Sequence, residues 1–189
     1  EAIEAAEKAQ ELIWSSVAHV ELPEHYLYYS LALAATYPNK ERKRQDEIDI
    51  LLAAHLKMFD EWQQSCPDNF AHKFTLIEAE ILRLAGRHLE ALQGYERAMK
   101  MAGDNGFVQL RALAAELALR LTCSLDLGSS SATYLAAALN GYQRWKADGK
   151  CNALKTEFTQ LLLSSARQAQ GASHTATSIP LPGHTSRTA

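Results

Sequence analysis

Metal binding, acid–base catalysis and thiol chemistry are the reactions open to the histidines, carboxylates and cysteines of this chain. Seven histidines are present, but none falls in HExxH or CxxC…HxxxH spacing, and His19 and His25 lie on either side of a Leu22-Pro23 break. A zinc site needs three or four ligands converging at about 2.0–2.3 Å, so no metal ligand is expected. His55 falls on an apolar stripe, which predicts a core histidine with a hydrogen-bond partner. Glu78 and Glu80 stand two apart on a helix and point to different faces. With Glu116 they predict hydrogen bonding at the surface or between helices rather than an acid–base pair. No GxxxxGK[ST] loop, GxSxG elbow or GxGxxG turn occurs, so neither a catalytic nor a cofactor-binding residue is expected. Cys66, beside Pro67 at a helix end, is the thiol expected to be most exposed, and nothing beside it in sequence would activate it.

Contact with another protein is the remaining chemistry. The aromatic row Tyr26, Tyr28 and Tyr29 would suit either a peptide groove or helix packing, and packing is the usual role of aromatics at helical spacing. His72-Lys73 reads as the exposed start of a helix, with a docking role as the alternative. Arg87 follows Gly86 in a turn. Tyr26, Tyr29, His72, Lys73 and Arg87 are therefore the candidate protein-interaction residues.

The elements that must position these residues are helices. The stretch Ala79 to Ala98, AEILRLAGRHLEALQGYERA, carries Gly86, Ala91, Tyr95 and Ala98 at the spacing of a tetratricopeptide-type helical hairpin. Small residues at Ala79 and Ala91 predict close helix approach, and Tyr95 is expected to fill the gap to the next hairpin. Ile3, Ala6, Ala9, Ile13 and Val17 predict a first helix from Glu1 to about Val20, with Trp14 beside its apolar face. Pro23 is expected to open a second helix that Pro38 ends, and Asn39 to cap a third. The third helix begins with mixed charges, Lys40 to Glu47, that read as a solvated face. Its stripe of Ile48, Leu52, His55, Phe59 and Trp62 stops at Cys66-Pro67. Later breaks fall at Gly86-Arg87, Gly103 to Gly106, Gly128 to Ser131 and Asp148-Gly149, with a serine of the third break expected to cap the seventh helix. An eighth helix is expected from about Lys150 to Gln168.

Composition agrees with one helical array. About 47% of the 189 residues are apolar and 22% charged, enough to build a core, and the net charge of −3 offers no field for nucleic acid or an anionic membrane. No apolar run approaches the roughly 18–20 residues that a membrane-crossing helix needs. Three well-separated cysteines make no disulfide framework, which points to a reducing, cytoplasmic setting. The reading divides the chain into a helical-repeat domain, residues 1–170, and a Ser/Thr/Pro-rich linker, residues 171–189, expected to be disordered. It is expected to be a piece of a longer protein. The fold class is all-α, a right-handed TPR-like solenoid of about seven or eight antiparallel helices.

Two stretches, Glu4 to Pro38 and Cys66 to Lys150, carry a more specific pattern. It comprises Ala9-Gln10, Trp14, Glu24-His25-Tyr26, Tyr37-Pro38, Cys66-Pro67, Asn69-Phe70, His72-Lys73, Glu78-Ala79-Glu80, Gly86-Arg87, Glu90-Ala91, Tyr95, Asn105-Gly106-Phe107, Ala115-Glu116-Leu117, Tyr142 and Arg144-Trp145. Over about 150 of the 189 residues the chain resembles the helical-repeat region of multi-domain hybrid sensor histidine kinases. Leu22-Pro23 departs from that pattern, because the family more usually keeps a helix-compatible residue there. Those proteins carry a Ser/Thr-kinase-like domain and an AAA-type ATPase module first, then the repeats, then a GAF domain and the histidine kinase core. The resemblance implies a non-catalytic scaffold in phosphorelay signalling, making interdomain or protein–protein contacts, with ATP used elsewhere in the parent chain and a parent that acts as a homodimer. A stand-alone protein-binding repeat, as in an adaptor or an ATPase-type transcription regulator, is the alternative.

Overall fold

The computed structural model describes residues 2–12, 21–164 and 167. Eight α-helices follow in order: α1 Ala2–Leu12, α2 Glu21–Thr36, α3 Arg42–Ser65, α4 Pro67–Leu84, α5 His88–Asp104, α6 Val108–Ser124, α7 Gly128–Arg144 and α8 Asp148–Glu157. A 3₁₀ turn, Tyr37–Asn39, separates α2 from α3. No β-strand occurs among the described residues, and the all-α expectation holds. Val20, Trp14, Ile13, Val17 and His19, and the linker residues 171–189, lie outside the described residues.

From α4 onward the chain reverses on a fixed count. Gly86, Gly106, Asp126 and Lys146 stand 20 residues apart and all have positive φ, between 56° and 80°. Each is the left-handed residue just past a helix end, and each turn closes with the same pair of backbone bonds. In the first turn Arg87 N–H donates to Leu82 O at 2.9 Å and Gly86 N–H to Arg83 O at 3.1 Å. Phe107, Leu127 and Ala147 repeat the longer bond, to Ala102, Thr122 and Tyr142. This arrangement satisfies carbonyls that a helix end otherwise leaves unpaired. Helices α5, α6 and α7 each have 17 residues, so two helices with their turns make a 40-residue unit. A tetratricopeptide unit has about 34.

Packing inside each pair depends on missing side chains. A Cβ placed on Gly94 of α5 would meet Ala79 Cβ of α4 at 2.8 Å, and one on Gly141 of α7 would meet Ala112 Cβ of α6 at 2.7 Å. The glycines let paired backbones approach more closely than any side chain allows. The expectation assigned that role to Ala79 and Ala91; Ala91 is fully buried, but Gly94 is the residue opposite Ala79. The main core is continuous from Leu27 in α2 to Leu154 in α8. A smaller cluster of Tyr29, Leu33, Ile48 and Leu52 joins α2 to α3, with Ile3 and Ala6 of α1 against it.

Four boundaries differ from expectation. Helix α2 opens at Glu21, so Leu22 and Pro23 lie in its first turn rather than forming a break before it. Pro38 draws residues 37–39 into the 3₁₀ turn, so Asn39 is used there and Glu41 takes the cap position of α3, without a side-chain cap bond. No serine caps α7: Leu127 stands at its cap position, and Ser131 lies inside its first turn, donating to Thr122 Oγ1 at 3.0 Å. Helix α8 starts at Asp148 and gives way to a turn at Phe158, with helical backbone resuming over 159–164.

Gly94→Ala and Gly141→Ala should each cost about 1–3 kcal/mol of stability through overpacking. Lys146→Gly should add roughly 1 kcal/mol by removing a Cβ from a left-handed position. Urea denaturation followed by circular dichroism measures all three, and an unchanged midpoint for Gly94→Ala would contradict the close-approach account.

Candidate functional site

Helices α2, α4 and α6 border one groove of about 450 Å³. Its apolar lining is Leu31 and Ala35 from α2 with Leu117 and Leu121 from α6. Arg83 and Arg120 line the same groove, with His88 and Ser124 at the starts and ends of α5 and α6. This groove combines apolar contact with fixed polar groups, the usual composition of a binding site.

Both arginines are held by carboxylates that are themselves buried. Glu80 is 2% exposed. Its Oε1 accepts from the Tyr95 hydroxyl at 2.5 Å and its Oε2 from Arg83 Nη2 at 2.6 Å. Arg83 Nη2 also donates to Ala34 O at 3.1 Å, tying α4 to α2. Glu116 is 3% exposed. It accepts from the Tyr142 hydroxyl at 2.7 Å, and from Arg120 Nη2 and Lys150 Nζ, both at 2.9 Å. Arg120 Nη1 reaches Glu157 Oε1 of α8 at 2.6 Å. Each set therefore joins a buried glutamate, an arginine one turn on along the same helix, and a tyrosine from the next. A buried charge is tolerated only with such partners.

This electrostatics fits structure better than proton transfer. Burial opposes the charge on Glu116, but hydrogen bonds from Lys150, Tyr142 and Arg120 outweigh it and hold its carboxyl below the ordinary value. Burial, then the charge of Glu80, pushes the Tyr95 phenol far up, and burial with Glu116 does the same to Tyr142. A general acid or base works best with a pKa near the operating pH, and Glu116, Tyr95 and Tyr142 are all moved away from it. Glu78 is separate: it is partly exposed and faces Arg97 at 3.6 Å. Of the two outcomes expected, hydrogen bonding at the surface or between helices, Glu80 and Glu116 make the second.

The five sequence candidates are not brought together. Tyr29 is 3% exposed and Tyr26 is partly buried, and both pack on His55, with ring centroids 5.5 and 4.9 Å away. The packing reading holds for these two, whereas Tyr28 of the same row is 46% exposed. His55 Nδ1 lies 2.9 Å from Ser30 Oγ, the partner expected for a core histidine. The surface placement of His72-Lys73 is corrected: they are 1% and 5% exposed. Helix α4 begins at Pro67, so these two already lie in its second turn, facing α2 and Phe107. Lys73 Nζ pairs with Glu24 Oε1 of α2 at 2.5 Å. His72 stacks on Phe107 at 4.4 Å between centroids, and neither ring nitrogen has a hydrogen-bond partner. Arg87 is exposed and pairs with Glu90 one turn on. Cys66 is partly buried, as is Cys123. The groove arginines Arg83 and Arg120 went unmarked in the sequence. A glutamate followed three or four residues later by arginine was the signal available for them.

No group of three or more His, Cys, Asp or Glu side chains suited to a metal ion occurs among the described residues. No described helix is long and apolar enough to cross a membrane. Comparison of the chain with protein-family models, curated proteins and solved structures finds no match.

The buried imidazoles set an acid limit on the fold. Burial lowers His55 and His72 to about 4, helped by the nearby His25 and Lys73 charges respectively. Unfolding returns each to its ordinary value of 6.5, so between pH 6.5 and 4 the unfolded chain binds the extra protons. Stability should therefore be complete above pH 6.5 and fall toward pH 4, by roughly 3 kcal/mol per imidazole. Urea titrations at pH 7 and pH 5 measure the loss, and His72→Phe should reduce it; an equal loss in that variant would remove His72 from the account.

Proposed function

We propose that this chain is a non-catalytic helical-repeat scaffold, a right-handed α-solenoid, within a cytoplasmic hybrid sensor histidine kinase. It links the ATPase module to the GAF and kinase modules and carries signal between them. The observation that supports this reading is the recurring design of α4 to α8: reversals 20 residues apart, and buried glutamates that each join an arginine of their own helix to a tyrosine of the next. A modular array of this kind gains stability from each repeat and its neighbour interfaces, and its concave side is the usual binding surface.

The groove along α2, α4 and α6 is the surface offered to an adjoining domain. Leu31, Leu117 and Leu121 give apolar contact, while Arg83 and Arg120, already oriented by Glu80 and Glu116, are fixed donors at its edge. Because Arg120 bridges to Glu157, a ligand that competes for Arg120 acts on the α6–α8 contact. A change in array curvature then needs only different contacts in two states.

Sequencing the roughly 200 residues downstream, one or two domains' worth, should reveal a GAF domain followed by a histidine kinase core. A helix-turn-helix domain there would favour the transcription-regulator alternative and overturn the kinase assignment. Ser124 is exposed on the groove, so Ser124→Trp should block it without disturbing the core. Binding of the adjoining domain, read by calorimetry, should weaken by about tenfold or more; unchanged binding would take the groove out of the interface.

A further inference from the structure

From α3 to α7 the arginines are paired with carboxylates, with two exceptions. Arg42 meets Asp46, Arg44 meets Glu7 and Glu47, Arg83 meets Glu80, Arg87 meets Glu90, Arg97 meets Glu78, and Arg120 meets Glu116 and Glu157. Arg111 and Arg144 have no carboxylate within ion-pair distance and no side-chain hydrogen bond among the described residues. Both are exposed, as is Asn140, and all three line the same pocket, of about 270 Å³, between the start of α6 and the end of α7.

The fold places them there. Ala112 packs against Gly141 so closely that a Cβ on the glycine would stand 2.7 Å from the Ala112 side chain. Arg111 precedes that contact and Arg144 lies one turn beyond it, which puts both at one end of the α6–α7 pair. Gly103 lets Arg111 lie flat on α5: a Cβ there would be 3.2 Å from Arg111 Cδ and 3.5 Å from Nη1. Gly106 and Gly141 add backbone surface without side chains, and Asn140 contributes an amide. Among the described residues no acidic side chain lines this pocket. Arg111 also lines the neighbouring pocket with Glu96 and Asp104, but those carboxylates are engaged by Tyr134 at 2.5 Å and Lys100 at 2.6 Å.

Two guanidinium groups sharing a pocket repel each other. The negative ends of α5 and α7 oppose part of that charge and the positive end of α6 adds to it, each equivalent to roughly half an elementary charge. An oxyanion would offset the rest, because its paired oxygens match the donor fork of each arginine. The volume holds about nine waters at ~30 Å³ each, room for a phosphate-sized group and part of its shell.

We infer that Arg111, Arg144 and Asn140 form an oxyanion-binding site that takes a phosphate ester or a carboxylate. It lies apart from the groove proposed for the adjoining domain and stands whether or not that proposal does. The probes are inorganic phosphate, phosphoserine and glutarate, titrated into ¹⁵N-labelled protein at constant ionic strength. Saturable shifts at the Arg111 and Arg144 Nε–H and the Asn140 amide are expected. Saturation by phosphate and phosphoserine identifies a phosphate source, and saturation by glutarate alone a carboxylate source. Arg111→Gln and Arg144→Gln should each raise the dissociation constant about tenfold, the loss expected for a hydrogen bond to a charged group. Arg87→Gln, at an exposed but paired arginine, should leave it unchanged. Shifts that never saturate, equal affinity in the Arg144→Gln protein, or an equal loss in Arg87→Gln would overturn the site.

Discussion

Each reversal between α4 and α8 requires one residue with positive φ, held there by two backbone hydrogen bonds. The spacing of those residues controls everything after them. With 20 residues from one to the next, consecutive helices have matched lengths and their apolar faces meet in register. Glycine accepts that conformation freely at positions 86 and 106, whereas Asp126 and Lys146 adopt it against the preference of any side chain with a Cβ. That strain is sustained because the helices on either side are already packed.

Close packing has an electrostatic counterpart. Glycine-to-alanine contacts bring α4 to α5 and α6 to α7 within reach of short bonds, and the two buried glutamates use that proximity. Each ties its own helix to the next through a tyrosine and presents an arginine toward the groove. Removing one partner would leave a charge in a low-dielectric interior, so these sets favour one relative placement of the helices over others. The same carboxylates orient the groove arginines, so the buried network and the groove share residues.

The scaffold reading and the oxyanion site describe opposite uses of arginine. Along α2, α4 and α6 the guanidinium groups are neutralised within the chain and act as positioned donors beside apolar contact. Between α6 and α7, Arg111 and Arg144 have no carboxylate at ion-pair distance among the described residues. In a chain of net charge −3, that local imbalance is a property of the fold's geometry rather than of composition.

Helical class was legible because it depends on local rules: apolar residues every three or four positions, prolines at 23, 38 and 67, and glycine-containing breaks. The partner expected for His55 was legible as well, because a polar group on an apolar stripe must be satisfied. The burial of His72 and Lys73 was not legible, since their counterparts, Phe107 and Glu24, are distant in sequence and meet them only when α2 and α6 pack on α4. Nor could spacing tell that Glu116 faces Tyr142 rather than solvent, or that Arg111 and Arg144 share a pocket. Period and breaks are properties of the chain's own neighbours, so the sequence by itself determined the helices. Which charges are paired and which are left open depends on distances between helices, and only the tertiary structure decided those.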